Sequence, residues 1–186
     1  MSDIILVGQK QWAFTSSDSN TPKVQTSSFG PCYGVSFIHG KYAALAHIDD
    51  TTQINSITSI FDRFAEYSIE PKNIKVTIVG GWKEHPESFK WGIFIIQKLQ
   101  SLGVETISKS IMFRKTIMHD ISQTFSQGPQ PFFEGGMYVD ATLGKTYVLK
   151  DPDATIERRI TESPEFQLIA QQNSSGLEYP LSEVRQ

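Results

Sequence analysis

The chain has one cysteine, Cys32, directly after Gly30-Pro31, and His47 stands fifteen residues further on in Ala46-His47-Ile48-Asp49-Asp50. A thiol beside an imidazole is the minimum set for covalent attack on a carbonyl, with sulfur as nucleophile and the ring moving protons. Two strand-like stretches lie between them, joined at His39-Gly40-Lys41. Paired antiparallel as a hairpin, these stretches bring their far ends side by side. A turn centred near positions 39–40 makes Cys32 and His47 close to cross-strand partners. The spacing therefore predicts the sulfur within about 4 Å of a ring nitrogen. Alternation puts Cys32, Gly34, Ser36 and Ile38 on one face, with Tyr33, Val35 and Phe37 on the other. On the second strand Ala43, Leu45 and His47 share a face, opposite Ala44, Ala46 and Ile48. Pro31 fixes its own φ and moves Gly30 out of the α region, so a stiffened turn presents the thiol.

Plainer roles exist for each residue. A lone cysteine is most often a small buried hydrophobe, and a lone histidine is most often a satisfied core residue. The Gly-Pro turn and the spacing to His47 favour chemistry over packing. Farther along, Trp82-Lys83-Glu84-His85 follows a strand end at Gly80-Gly81, a place where α/β proteins often hold their sites. Trp82 and Glu84 are therefore expected to line the pocket. Gly80-Gly81 lacks a following Gly-Lys-Ser/Thr, which reduces it to a tight turn rather than a phosphate loop. His85 and His119, with Asp49, Asp50 and Asp120, have no metal-ligand spacing, so no metal and no organic cofactor is expected.

The elements that must hold these residues are legible from periodicity. Ile4–Val7, Trp12–Phe14 and Val24–Ser28 read as strands, with a polar loop from Ser16 to Pro22. Ile57, Ile60, Phe61 and Phe64 form the stripe of an amphipathic helix placed at about 54–68 and closed by Pro71. Ile74–Val79 is a buried strand. A helix begins at Pro86, with Phe89, Ile93, Ile96 and Leu99 inward and Gly103 as its stop, before a strand at Val104–Met112. Strand, helix and strand at this spacing predict a βαβ unit with parallel strands. Arg114–Phe125 is partly helical and Gly128–Pro131 a loop. Gly136–Ala141 and Lys145–Leu149 make a hairpin over Thr142-Leu143-Gly144. The fold class is thus α/β, a layered domain with a mixed β-sheet and packed helices, over residues 1–150. A polar C-terminal extension, 151–186, is expected to be partly ordered and to wander beyond Gln171.

At 186 residues, with 39% hydrophobic, a core of useful size is available to one domain. Seventeen basic and twenty acidic residues are spread through the chain, so nucleic acid is not an expected partner. No apolar run approaches the roughly 18 residues of a membrane span, and the first residues lack a signal-peptide pattern. One cysteine makes no internal disulfide, which suits a reducing compartment and a cytoplasmic location.

Three features together resemble the cysteine deamidases. That group contains the chemoreceptor glutamine deamidase CheD, the cytotoxic necrotizing factor catalytic domain and the protein N-terminal asparagine amidohydrolase. Thr26, Cys32 and His47 match the hydroxyl residue, the nucleophile and the histidine of the signature. Val7-Gly8-Gln9-Lys10 with Ala13-Phe14-Thr15-Ser16, Leu45-Ala46-His47-Ile48-Asp49 and Val79-Gly80-Gly81 are each similar to segments of the asparagine amidohydrolase, in the same order. The likeness covers roughly residues 4–150. Pro31 departs from it, standing where the chemoreceptor enzyme carries serine, and offers an oxyanion neither a hydroxyl nor a backbone N–H.

The resemblance implies hydrolysis of an asparagine or glutamine side-chain amide on a protein or peptide, through a thioester on Cys32. His47 serves as acid and base and Thr26 orients its ring. An imidazolium at His47 is expected to hold Cys32 as thiolate. Substrates with an N-terminal asparagine bring an α-ammonium, for which Asp49 is the first choice of partner and Asp50 the second. Asp50 also suits the cap of the helix that follows. The alternatives are deamidation of an internal glutamine, another Cys-His hydrolase, or a binding module without activity.

Overall fold

Period-two alternation sorts the strand residues into two apolar sets, and the fold is the arrangement that buries both. The computed structural model describes residues 4–27, 32–81, 86–110, 136–149 and 180–185. The strands are β1 (Ile4–Leu6), β2 (Gln11–Ser16), β3 (Lys23–Ser27), β4 (Tyr33–His39), β5 (Tyr42–Ile48), β6 (Lys75–Gly80), β7 (Thr106–Ser110), β8 (Gly136–Asp140), β9 (Lys145–Leu149) and β10 (Ser182–Glu183). Helices α1 (Thr51–Asn55) and α2 (Thr58–Ala65) follow β5, and α3 (Pro86–Ser101) joins β6 to β7.

These strands form two mixed sheets, where the sequence predicts one. The larger runs β10-β2-β5-β4-β6-β7 and the smaller β1-β3-β8-β9. The reason lies in the β4–β5 hairpin, which is apolar on both faces and must be covered twice. Tyr33, Val35, Phe37, Ala44, Ala46 and Ile48 pack with Ile54, Ile57, Ile60, Phe64, Ile95 and Leu99 from the helices. On the other face Ile38, Ala43 and Leu45 pack with Ile5, Val24, Met137 and Val139 of the smaller sheet. Three layers result: helices, large sheet, small sheet. The β6–α3–β7 unit is parallel, as its spacing predicts, and β8 and β9 form the expected hairpin.

Three elements differ from the sequence reading. The helix expected over 54–68 is two short ones. Asp50 caps α1 by accepting from the Gln53 N–H, and α1 ends at Ser56, whose N–H is turned back onto the carbonyls of Thr52, Gln53 and Ile54. The Ser56 hydroxyl then accepts the Leu181 N–H at 2.9 Å. Helix α3 is rotated by about one residue: Ser88, Gly92, Ile95 and Leu99 are buried, whereas Phe89 and Ile93 are exposed. The Tyr33 side chain sets this rotation, since its hydroxyl donates to the Ser88 carbonyl at 2.8 Å. A Cβ on Gly92 would overlap that hydroxyl. Finally, residues 180–185 do not wander. Leu181 is buried, and β10 pairs in parallel with β2.

Residues 111–135 and 150–179 lie outside the described residues, as do Trp82, Glu84 and His85. Among the described residues no helix is long and apolar enough to cross a membrane.

The end of β6 is locked against the start of β4. Gly80 has φ +119°, and a Cβ there would overlap the Cys32 carbonyl oxygen; the next residue, Gly81, donates its N–H to that oxygen at 3.0 Å. Gly103, at φ +90°, has open space where a Cβ would go, so the two glycines separate backbone strain from collision. Gly80→Ala is expected to lose about 1–3 kcal/mol more stability than Gly103→Ala, measured as the difference in urea unfolding. Equal losses would mean that the contact with Cys32 is unimportant to the fold.

Candidate functional site

Strand β3 of the small sheet carries Thr26 into the seam between the sheets, and β5 of the large sheet carries His47 into it from the opposite side. Both are buried, at 0% and 1% exposure. The Thr26 Oγ1 lies 2.8 Å from His47 Nδ1. This hydrogen bond fixes the ring plane. With Nδ1–H donating to the hydroxyl oxygen, Nε2 carries the lone pair that a base needs. The two residues are twenty-one positions apart, on different sheets.

Cys32 joins them from the approach to β4. The β4–β5 register differs by two residues from the spacing argument. A two-residue turn, with Gly40 at φ +54°, closes on the His39–Tyr42 pair, so Gly34, not Cys32, stands directly across from His47. Cys32 lies two residues further along, just before the first pair, Tyr33 with Ile48. Cys32 and Gly34 are two residues apart and so face the same side of the sheet. Cys32 and His47 therefore hold diagonal positions on one face of the strand pair, and Gly34 projects no side chain between them. A slip of a single residue would have sent them to opposite faces.

Asp49 and Asp50 are already engaged. The Lys10 ammonium lies 3.3 Å from an Asp49 oxygen and 3.0 Å from an Asp50 oxygen. The Gln53 side-chain amide donates to both carboxylates and accepts the Asp49 N–H at 2.7 Å. Asp50 performs the helix-capping role foreseen for it. Burial lowers the Lys10 pKa, but Asp49 and Asp50 together raise it above its ordinary value. Burial pushes the Asp49 carboxyl up, against the opposing effects of Lys10 and Gln53. Lys10 also has φ +61°, a costly conformation for a residue with a Cβ. It is held there by its N–H to the His47 carbonyl at 3.1 Å and its carbonyl to Ser182 at 2.9 Å.

The sequence reading singled out neither Gln9, Lys10 nor Gln53 as site residues, although Gln9-Lys10 lies within one of the matched segments. Gln9 brings its side-chain amide nitrogen to 3.8 Å from the Cys32 sulfur. Gly80 and Gly81 read in the sequence as a turn. They are that, and also the brace on the Cys32 carbonyl. Only the two positive φ angles and the close approach reveal it. Trp82 and Glu84 lie outside the described residues.

The expected thiolate–imidazolium pair is not the resting arrangement. Burial, reinforced by Asp49, pushes the Cys32 thiol up, and the Gln9 amide and Lys10 only partly oppose it. Burial lowers His47 to about 3. Both groups therefore rest neutral at pH 7. Desolvation disfavours the charged form of each group.

No family model matches the chain, and no curated protein matches it. A solved structure, that of the hypothetical protein YfiH from Bacillus licheniformis, is similar to it with a TM-score of 0.44 and 15% identity. The match covers 54% of this chain and 50% of that one, so the chain spans about half the length of the solved protein.

A buried histidine with a lowered pKa makes the fold acid-sensitive. Between the ordinary value and about 3, the unfolded chain binds a proton at this residue and the folded chain does not. Stability contributed by a neutral His47 is thus present above the ordinary histidine value and is lost as pH falls toward the folded one. Urea unfolding between pH 6.5 and 4 should show a slope of up to about 1.4 kcal/mol per pH unit that His47→Gln removes. An unchanged slope in the variant would place the acid sensitivity elsewhere.

Proposed function

We propose that Cys32, His47 and Thr26 hydrolyse the side-chain amide of asparagine at a protein N-terminus, releasing ammonia. The observation that carries this reading is the buried Thr26–His47 hydrogen bond of 2.8 Å, on the face of the large sheet that also bears Cys32. It gives a nucleophile, a base and a group orienting the base, drawn from two sheets. The deamidase likeness in the same three residues supports the substrate class.

From the neutral resting pair, the Cys32 proton passes to His47 Nε2 as sulfur adds to the amide carbon. The carbonyl π electrons move to oxygen. The tetrahedral species collapses by breaking the C–N bond, and the imidazolium protonates the departing nitrogen to give ammonia. Water, deprotonated by the same ring, then adds to the thioester; the acid leaves and the thiol is restored. Thr26 is a positioning residue, keeping Nε2 turned to the reaction. No metal or organic cofactor enters these steps, and a thiol of this kind suits a reducing compartment such as the cytoplasm.

One observation favours a second reading. Lys10 occupies the two carboxylates that an incoming α-ammonium would need. An internal glutamine carries no such cation and would leave that pair undisturbed. Ammonia release decides between them, using a peptide that begins with free asparagine, its acetylated form and a peptide with internal glutamine. The expected result is turnover of the free form alone, none with Cys32→Ala, and a loss on the order of 10²-fold or more with His47→Gln. Equal turnover of free and acetylated peptides refutes N-terminal recognition. Turnover of glutamine alone establishes the second reading, and no ammonia from any peptide rejects both.

A further inference from the structure

The geometry points to Gln9 as a catalytic residue, the side-chain donor that receives the oxyanion formed when Cys32 attacks a carbonyl. This assignment rests on the nucleophilic role proposed for Cys32. A tetrahedral oxyanion in a buried site needs hydrogen-bond donors set in place before the reaction. The residue before the nucleophile is Pro31, which has no N–H, so the backbone ahead of Cys32 offers one donor fewer than other residue types would. The Gln9 amide nitrogen is 3.8 Å from the Cys32 sulfur. When sulfur bonds to a carbonyl carbon, the oxygen sits one bond beyond that carbon. A donor that already touches sulfur can then meet it at about 2.7–3.1 Å, the range such donors require.

The turn that carries Gln9 is fixed on both sides. Gly8 donates its N–H to the Gln11 side-chain oxygen at 2.8 Å, and the Gln11 N–H returns to the Gly8 carbonyl at 3.2 Å. After Gln9 comes Lys10 at φ +61°, tied to the His47 carbonyl and, through its ammonium, to Asp49 and Asp50. Backbone strain of this kind persists where the surroundings over-determine it, often beside a site. Here the strained residue aims its neighbour's amide at the sulfur and holds the strand that bears the base. The Gln9 contact also favours the thiolate, which burial disfavours.

In the reaction, the S–C bond forms as the π pair moves to oxygen, and Gln9 Nε2–H shifts from sulfur to that oxygen. The amide gives up no proton. When the oxyanion collapses, the pair returns to the carbonyl and the leaving group departs.

Two reagents separate this role from a structural one. p-Nitrophenyl acetate acylates a thiolate through a tetrahedral oxyanion and expels p-nitrophenolate. Iodoacetamide alkylates it by displacing iodide at a saturated carbon, with no oxyanion. Cys32 is the only cysteine, so Cys32→Ala supplies the background for both. Gln9→Ala and the similarly shaped Gln9→Glu are expected to slow acylation by on the order of 10²-fold. The ratio of acylation to alkylation should fall at least about tenfold, with unfolding midpoints close to that of the unaltered chain. Ammonia release from the asparagine peptide should lose kcat by a similar factor at nearly constant KM. An unchanged ratio, whether both rates fall together or neither does, overturns the assignment even if ammonia release is normal. A lowered ratio without ammonia release upholds Gln9 and rejects the amide reaction. An unaltered chain whose Cys32 takes neither reagent overturns both.

Discussion

Everything in this molecule depends on a hairpin that is apolar on both faces. Strands β4 and β5 are buried along almost their whole length, with Val35, Phe37, Ala43, Ala44, Leu45 and Ala46 at 0% exposure. Neither the helices nor the small sheet could cover both sides, so the fold has three layers. Alternation then decides what each layer meets. Tyr33 goes to the helices, where it selects the buried stripe of α3 through Ser88 and Gly92. Gly34, Ser36 and His47 go to the seam between the sheets. A polar side chain buried there is stable where it finds a hydrogen-bond partner.

Burial explains the electrostatics of the site as well as its geometry. The same burial that raises Cys32 and lowers His47 favours, in the reaction proposed for them, a proton transfer timed with attack. Charges are gathered instead around Gln53, where Lys10 pairs with both Asp49 and Asp50. That cluster joins the β1–β2 turn to the end of β5 and the start of α1. It therefore fixes the spacing between the Gln9 amide, the Cys32 sulfur and the strand of His47.

Local periodicity made the secondary structure readable. The β4–β5 and β8–β9 hairpins and the stripe at Ile57, Ile60, Phe61 and Phe64 follow from short local patterns, and the parallel β6–β7 pair from the strand–helix–strand run between Lys75 and Ser110. What escaped were facts set by distant partners. The rotation of α3 away from Phe89 and Ile93 depends on a tyrosine in β4, and the break at Ser56 coincides with a contact from Leu181. The second sheet joins β3 to β8, more than a hundred residues later. For the site, parity placed Cys32 and His47 on one face although the turn is displaced by one residue, since this changes the register by two and an even change leaves faces unaltered. The engagement of Asp49 by Lys10 was not legible, because nothing in the sequence marks position 10 as left-handed.

The seam offers its own control for the meaning of a buried polar pair. Ser36 and Thr146 also meet there across the two sheets, hydroxyl to hydroxyl, at 2.7 Å. That pair satisfies one donor and one acceptor through a single hydrogen bond between small side chains with no titratable group, which is all that joining the sheets requires. At the other end of the same face, the chain uses Thr26 with a histidine. Burying an imidazole there lowers its pKa to about 3 and makes the fold sensitive to acid, a penalty that a second hydroxyl pair would avoid. The histidine also shares its end of the seam with the only cysteine and with a glutamine amide directed at the sulfur. A structural polar pair accounts for Ser36 and Thr146. It leaves unexplained why the costlier pair stands beside the one nucleophile, and the covalent chemistry proposed for Cys32 supplies the reason.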